Sequence, residues 1–221
     1  MNEPETTHHV FVTGGTGYMG RDLILQLVSR GHDVLALVRV GKERDLSKNS
    51  RIVVGDALKG PSYANAVPGA DTFVHLVGVP HANPSKAEQF RTIDLKSLQE
   101  AVSVAVAANV KHFVYVSVAQ PAPIMKAYLE VRAECEGIIR KAGLNATILR
   151  PWYVLGPGHR WPYLLMPVYW LFGLLPATRK TTQRLGLVRL KEMIASMCWA
   201  VENPCQGVRI LEVPQIRQIH L

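Results

Sequence analysis

The residues with the clearest chemical meaning are glycines that follow a short apolar run near the start of the sequence. The run Val10–Thr13 leads into the spacing Gly15-x-Gly17-x-x-Gly20, and a helix-compatible stretch follows. This order is typical of a dinucleotide site, because glycines let the backbone approach a pyrophosphate and the first N–H groups of the helix face it. A glycine-rich turn without a ligand is the alternative. The candidate cofactor-binding residues of this turn are Gly14, Gly15, Thr16, Gly17, Tyr18, Met19 and Gly20.

The end of the second predicted strand indicates which dinucleotide would bind. This strand, residues 33–38, runs into Arg39, and Lys42 and Arg44 follow, whereas Asp33 lies at the opposite end of the strand. NAD sites usually place a carboxylate after this strand to bind the ribose 2′-hydroxyl, and NADP sites tend to supply an arginine for the 2′-phosphate. Arg39 therefore predicts NADP(H), with NAD(H) as the other choice. A solvated surface arginine is the alternative role for Arg39.

Three residues in or just after later strands are further candidates for the same site. Asp56 follows the third predicted strand, where it would either accept a hydrogen bond from the adenine amino group or cap a turn. Gly78 follows the fourth strand and would let the backbone come close to the cofactor. His75 lies within that strand, and its position favours a buried, hydrogen-bonded histidine over a catalytic one.

Strands that alternate with helices must position these residues. After the first strand, the apolar runs predict strands over 33–38, 51–55, 72–77, 111–117 and 145–150, and the helical patterns cover 21–30, 86–108 and 125–142. Gly31 and Gly143 are placed to end the first and last of these helices. The alternation predicts an α/β fold with a doubly wound parallel sheet of the Rossmann type.

The length and composition limit the number of domains. A chain of 221 residues with 48% hydrophobic residues can form one large domain with a small appendage. We predict a dinucleotide-binding domain over residues 1–155 and a small C-terminal substrate or lid lobe over 156–221. An amphipathic helix near 190–202 and a strand-like run over 208–213 belong to this lobe, which is expected to pack over the carboxyl edge of the sheet.

The charge and cysteine content exclude several kinds of partner. The net charge is +8, but the basic residues are scattered and form no nucleic-acid-binding motif, so an anionic cofactor, substrate or surface is expected instead of nucleic acid. Cys135, Cys198 and Cys205 are too few and too scattered for a disulfide framework or a metal site, which predicts buried thiols and no bound metal. With no recognisable signal peptide, the sequence predicts a cytoplasmic protein.

One apolar segment leaves its role open. Residues 161–177 carry no charge, but Pro167 and Gly173 interrupt the segment and it is shorter than the roughly 20 residues of a membrane-spanning helix. It could form the wall of a hydrophobic substrate pocket or part of the core. It could also form a dimer surface, or a peripheral contact with an anionic membrane. A monomer and a homodimer are both compatible with the sequence.

Several motifs in the same order resemble one enzyme family. The 13–20 turn, the pair Gly55-Asp56, a strand that ends at Ser117, Tyr128 on the following helix and the run from Arg150-Pro151 to Pro157 are similar to those of atypical, NmrA-like short-chain dehydrogenases/reductases. The resemblance covers residues 9–157 well and the remainder loosely. It implies an NAD(P)-binding Rossmann fold.

The resemblance also implies catalytic roles. In the family a serine polarises the substrate carbonyl, a tyrosine exchanges a proton and a lysine four residues later binds the nicotinamide ribose and lowers the pKa of the phenol. Ser117 and Tyr128 match the first two by position, and Pro151 falls in the family's cofactor-contacting run. The lysine position holds Arg132, which keeps the charge but is bulkier and does not release its proton.

Two classes of function follow from this departure. The first is an NADP(H)-dependent oxidoreductase that acts on a carbonyl-type group of a small apolar substrate, with Ser117, Tyr128 and Arg132 as the catalytic residues. The second is a non-catalytic NADP(H)-binding redox sensor or partner-binding protein. In the second class, Arg132 would point to an acid such as Glu136, four residues along the helix.

Overall fold

A seven-stranded parallel sheet forms the centre of the protein, whose computed structural model describes residues 6–46, 51–122, 124–157 and 185–220. The strands of this sheet are β1 His9–Thr13, β2 Asp33–Val38, β3 Arg51–Val54, β4 Thr72–His75, β5 His112–Val116, β6 Ala146–Arg150 and β9 Val208–Glu212. The strand order is β3-β2-β1-β4-β5-β6-β9, so the direction of winding reverses between β1 and β4. The parallel doubly wound sheet predicted from the sequence is confirmed.

Helices cover both faces of this sheet. The helices are α1 Tyr18–Ser29, α2 Ala87–Gln89, α3 Lys96–Ala107, α4 Lys126–Lys141, α5 Leu190–Glu202 and α6 Val213–Gln218. Helices α1, α5 and α6 share one hydrophobic core with one face of the sheet, and α3 and α4 share a second core with the other face. Because both faces are covered, the central strands are buried on both sides, as in β5, where every residue is buried.

The helix expected over 86–108 is divided by a π-helical segment. Helix α2 runs directly into this segment, Phe90–Leu95, which continues into α3. One extra residue per turn turns the side chains of the segment relative to those of the flanking helices, and such segments are frequent at functional sites. Asp94 lies in the segment and is buried beside the site described below.

The glycines predicted to end helices do so. Gly31 follows α1 with a φ of +85°, and Gly143 follows α4 with a φ of +70°. Such left-handed conformations favour glycine, because a Cβ would strain the backbone there. The sequence therefore places these two helix ends correctly to within two residues.

The described part of the C-terminal region joins the main sheet. Strands β7 Tyr153–Leu155 and β8 Leu187–Arg189 form a small parallel pair, α5 packs against α1, and β9 pairs with β6. The predicted helix and last strand are thus confirmed, and the last strand, β9, belongs to the same sheet as the dinucleotide-binding region. The apolar segment 161–177 lies outside the described residues. No helix in the described parts of the chain has the length and apolar character needed to cross a membrane.

Candidate functional site

A cavity of about 540 Å³ opens at the carboxyl ends of the strands, where the winding of the sheet reverses. Open α/β sheets bind their ligands at this position, because loops from opposite directions diverge there. The walls are formed by the turn after β1 and by the residues that follow β2, β4, β5 and β6. Of the residues predicted for the site, the cavity is lined by Gly14, Thr16, Gly17, Tyr18, Met19, Gly20, Arg39, Gly78, Ser117, Tyr128, Arg132 and Pro151.

The glycine turn has the geometry of an anion cradle. Gly14 has a φ of +77°, and the N–H of Gly17 donates to its carbonyl at 3.0 Å. Helix α1 starts directly after Gly17 with no side-chain cap and no acid in its first turn, so the positive end of its dipole faces the cavity. These features fit a pyrophosphate.

A side chain would meet different neighbours at each of the three glycines of the motif. A Cβ on Gly20 would run into the backbone of Gly14 and Gly15, so the helix can pack there only with glycine. A Cβ on Gly17 would meet only the Gly14 carbonyl oxygen, at 3.1 Å, and otherwise point into open space. Gly15 packs toward Ile24 and does not line the cavity. Gly20 therefore serves the fold, whereas Gly17 leaves open space at the wall of the cavity.

The region after β2 contributes two exposed cations and one acid to the wall of the cavity. Arg39 and Lys42 line the cavity, as predicted for a 2′-phosphate, but Asp45 lines it as well. The Asp45 carboxylate lies 3.8 Å from both Arg21 Nη2 and Lys42 Nζ, and these exposed pairs are weak. The sequence prediction missed this carboxylate, because Asp45 lies six residues beyond Arg39 and only the turn Glu43–Asp45 returns it to the cavity.

Asp56 and His75 have structural partners. Asp56 Oδ1 accepts the Leu58 N–H at 3.0 Å, and the residue does not line the cavity, so its position supports the turn-capping alternative over an adenine contact. His75 is buried, with Nδ1 2.8 Å from Thr13 Oγ1 and Nε2 3.4 Å from Ser97 Oγ. Burial, together with the charge of Arg132, lowers the pKa of His75 to about 3.

Tyr128 stands beside a cation in the wall of the cavity. Its half-buried ring lies 5.0 Å from the Phe90 ring centroid, and the Arg132 Cζ atom lies 5.0 Å from the Tyr128 ring centroid. The i, i+4 spacing on α4 brings the two together, as expected. No described residue hydrogen-bonds to the Tyr128 hydroxyl, so this group is available to a ligand.

Arg132 is held by a buried set of acceptors. Its Nη2 donates to Asp94 Oδ1 at 2.7 Å, and its Nη1 donates to Tyr115 Oη at 2.9 Å and to the Val116 carbonyl at 3.0 Å. Burial alone would lower the pKa of Arg132, but the neighbouring tyrosines and Asp94 raise it, so the cation persists. The partner suggested from the sequence, Glu136, is not the acid that Arg132 contacts.

Ser117 is bound instead to that acid. Its Oγ donates to Glu136 Oε1 at 2.7 Å, and both residues are buried. Arg150 donates to the same carboxylate through Nε at 2.9 Å and Nη2 at 2.6 Å, and its Nη1 reaches Glu212 on β9 at 2.9 Å. Burial would raise the pKa of Glu136, but hydrogen bonds from Arg150 and Ser117 outweigh it and lower the pKa. The hydroxyl proton of Ser117 is thus directed at a carboxylate, away from the cavity.

A second cavity of about 500 Å³ adjoins the first. Tyr128 is one of seven described residues that line both, with Tyr18, Met19, Val79, Val118, Trp152 and Val154, so its side chain lies where the two spaces meet. Apart from His81 and Asn83, its walls are apolar or aromatic, which suits an apolar ligand. The second cavity is lined by Tyr18, Met19, Val79, His81, Ala82, Asn83, Val118, Met125, Tyr128, Trp152, Tyr153 and Val154.

Comparison with known proteins identifies the family. Residues 14–160 match the model of a family described as NAD(P)H-binding. The chain belongs to this NAD(P)H-binding family. It is 26% identical over 213 residues to a ceramide reductase of Caulobacter vibrioides, which covers 95% of this chain and 65% of that protein. It is 31% identical over 112 residues to a 3-beta-hydroxysteroid dehydrogenase of Mycolicibacterium neoaurum, which covers 48% of this chain and 31% of that protein. The chain thus spans two thirds or less of these relatives.

Solved structures share the fold of this chain. The Bordetella bronchiseptica enzyme WbmH in complex with NAD+ superposes with a TM-score of 0.69 at 18% identity, over 94% of this chain and 76% of that one. A short-chain dehydrogenase/reductase superfamily protein from Agrobacterium tumefaciens with bound NAD gives 0.67 at 17% identity, over 93% and 77%. The predicted Rossmann fold and the resemblance to NAD(P)-binding short-chain dehydrogenases/reductases are confirmed, and the cofactor class is a nicotinamide dinucleotide.

Proposed function

We propose that this member of the NAD(P)H-binding family is an NADP(H)-dependent oxidoreductase that acts on a carbonyl or alcohol group of an apolar substrate. The observation that carries the proposal is the position of Tyr128. Its hydroxyl has no partner among the described residues and stands where the cofactor cavity meets the apolar second cavity. The relatives named above, a ceramide reductase and a steroid dehydrogenase, have names that refer to apolar substrates.

In such a reaction, the cofactor and the residues of the cavity would have different roles. The bound nicotinamide supplies or accepts the hydride. Tyr128 gives a proton to the substrate oxygen during reduction and takes it back during oxidation. Arg132 keeps a positive charge beside this phenol, with its Cζ atom 5.0 Å from the ring centroid, and stays protonated throughout.

Ser117 has a different role here from the one implied by the family. Because its proton is directed at Glu136, it presents only lone pairs to the cavity. Ser117 can therefore accept a hydrogen bond from an alcohol, whereas Tyr128 is the hydroxyl that can donate to a carbonyl oxygen. Substrate polarisation then depends on Tyr128.

A turnover assay with a matched variant tests the enzymatic proposal. NADPH oxidation is followed at 340 nm with a panel of long-chain aliphatic ketones and polycyclic ketones. We expect turnover with wild type and a loss of at least about a hundredfold in Tyr128→Phe, which lacks only the proton-exchanging oxygen. NADPH affinity should stay the same in this variant. No turnover across the panel by a protein that binds NADPH tightly would reject the enzyme.

A non-catalytic NADP(H)-binding protein is the second candidate function. The proton of Ser117 and three donors of Arg132 are committed to buried partners, which suits a rigid binding site that carries out no chemistry. Relatives include a photosystem II assembly factor of Trieres chinensis, 27% identical over 110 residues. Tight NADPH binding without turnover in the assay above would favour this function.

The preference for NADP(H) rests on Arg39 and Lys42, two cations on the cavity wall after β2. We expect Arg39→Ala to weaken NADPH binding about ten- to a hundredfold, because a charge-assisted contact to a phosphate is lost, and to leave NADH binding unchanged. Fluorescence titration with both dinucleotides measures this difference. Arg44→Ala is the control, because Arg44 follows the same strand but does not line the cavity. Equal affinities for NADPH and NADH in wild type would overturn the preference.

A further inference from the structure

The ion pair between Arg132 and Asp94 is buried at the wall of the cofactor cavity, and the family pattern does not account for it. The side chain of Arg132 is 7% exposed and that of Asp94 is fully buried, with 2.7 Å between Nη2 and Oδ1. A buried guanidinium without a counter-ion is costly, so an arginine at this position requires a nearby carboxylate. Asp94, on the π-helical segment, provides it.

The backbone around the pair is shaped to admit it. Asp94 also accepts the Val79 N–H at 3.1 Å, which ties the pair to the loop after β4. A Cβ on Gly78 would lie 2.7 Å from Arg132 Nη2 and 2.8 Å from Asp94 Oδ1, closer than packed atoms allow. Gly78 lines the cavity, so the absence of a side chain there leaves the pair directly behind the cavity wall.

Two of the five N–H groups of the fixed guanidinium have no acceptor among the described residues. Arginine carries five N–H groups, and Tyr115, Val116 and Asp94 accept three of them. The Nε atom is buried without a partner among the described residues. The direction of the two remaining N–H groups is set by the three that are bound, and Asp94 contributes the only carboxylate among those acceptors.

We infer that Asp94 is a positioning residue for the cofactor: it holds Arg132 in the cavity wall beside Tyr128, and the nicotinamide-ribose half of the dinucleotide binds against this fixed cation. The inference rests on the nicotinamide cofactor class and is independent of the choice between NADP(H) and NAD(H). Arg39 follows β2, on the other side of β1 from β4 and β5, and is proposed above to bind the 2′-phosphate, so the two halves of the cofactor can be tested separately.

The test compares each dinucleotide with its own adenosine half. Dissociation constants of NADPH and 2′,5′-ADP, and of NADH and ADP, are measured by calorimetry for wild type and Asp94→Asn. We expect Asp94→Asn to weaken binding of the better-bound dinucleotide about tenfold, as for the loss of one charge-assisted hydrogen bond. The affinity for the adenosine half of that dinucleotide should stay unchanged. Arg39→Ala should instead weaken the binding of NADPH and of 2′,5′-ADP by the same factor. A result that contradicts the NADP(H) preference can therefore be told apart from one that contradicts the role of Asp94.

Two further variants show whether Asp94 acts through Arg132. In an Arg132→Met background, Asp94→Asn should cause no additional loss of dinucleotide affinity, because the guanidinium it positions is absent. The control is Glu202→Gln. This variant removes a partly buried carboxylate that pairs with Arg30 and His32, away from the cavity, and it should leave the ratio of the dinucleotide affinity to the adenosine-half affinity unchanged.

Three results would overturn the inference. Asp94→Asn could leave the affinity ratio at its wild-type value, which would mean that Arg132 needs no positioning. It could weaken both ligands equally, which would show a purely structural role. It could cause a further loss in the Arg132→Met background, which would show a direct role. If Asp94→Asn does not fold, the same ratio is measured for Asp94→Glu, in which one added methylene displaces the carboxylate, and an unchanged ratio again overturns the inference.

Discussion

Replacing Ser117 by alanine separates a hydroxyl that serves the fold from one that serves a substrate. In the structure this hydroxyl donates to the buried carboxylate of Glu136 at 2.7 Å. If that bond exists in solution, Ser117→Ala should lower the stability of the protein even without any ligand. A serine whose proton is free for a substrate would show little effect on stability.

The expected magnitude follows from the partners that remain. A hydrogen bond to a charged group contributes about 1.5–3 kcal/mol. Glu136 keeps its donors from Gln120 at 2.8 Å and from Arg150, so we expect the lower end, about 1.5–2 kcal/mol. For a protein of this size, that corresponds to a fall in Tm of about 3–8 °C.

The loss of stability in Ser117→Ala should depend on pH, because the group that accepts the hydrogen bond from Ser117 is a carboxylate. The pKa of Glu136 is lowered in the folded protein, so its interactions stabilise the fold above the unfolded-state pKa of about 4.3 and are lost as the pH falls through the folded value. The difference in unfolding free energy between wild type and Ser117→Ala should be full at pH 7 and shrink below about pH 4.3.

Urea unfolding of both proteins across this range measures the difference. Ser196→Ala is the matched control, because Ser196 is also fully buried but donates to a neutral acceptor, the Ile216 carbonyl, at 3.1 Å. Its effect should not change with pH. A Ser117→Ala protein as stable as wild type at pH 7, or with a pH-independent loss like that of Ser196→Ala, would refute the assigned bond to Glu136.

Two further predictions concern the glycine turn and the buried histidine. Gly17→Val should abolish dinucleotide binding in calorimetry with little change in Tm, whereas Gly20→Val should lower Tm strongly, because its side chain meets the Gly14 backbone; retained binding in Gly17→Val would mean that this glycine serves only the turn. The His75 imidazole should stay neutral in NMR titrations down to about pH 4, since burial and Arg132 lower its pKa to about 3; a midpoint near 6.5 would contradict its burial.

Local patterns predicted most of the fold and the residues that line the cavity. Runs of apolar residues gave the strands, and glycines such as Gly31 and Gly143 marked helix ends, because both signals depend on neighbours in sequence. The same holds for the turn after β1 and for Tyr128 with Arg132, which share a helix face at i, i+4. Such features can be read without knowledge of the tertiary structure.

The partners of these residues could not be predicted in this way. Asp94 meets Arg132 across 38 positions, and a π-helical segment, which has no clear sequence signal, turns it toward the cavity. Glu136 was considered as the partner of Arg132 on helical spacing, but Ser117 and Arg150 compete for it from neighbouring strands. Which acid pairs with which base is decided by the packing of several elements against one another.

The chain of contacts from Glu212 through Arg150 and Glu136 to Ser117 has a consequence for the order in which the protein is made. Strands β5 and β6 leave the ribosome well before β9, the strand whose Glu212 binds Arg150 at the edge of the sheet. Ser117, Glu136 and Arg150 can meet once β6 has been made, but the ion pair between Arg150 and Glu212 forms only when β9 pairs with β6. A dinucleotide bound at the glycine turn before that point would therefore not show that the sheet is complete.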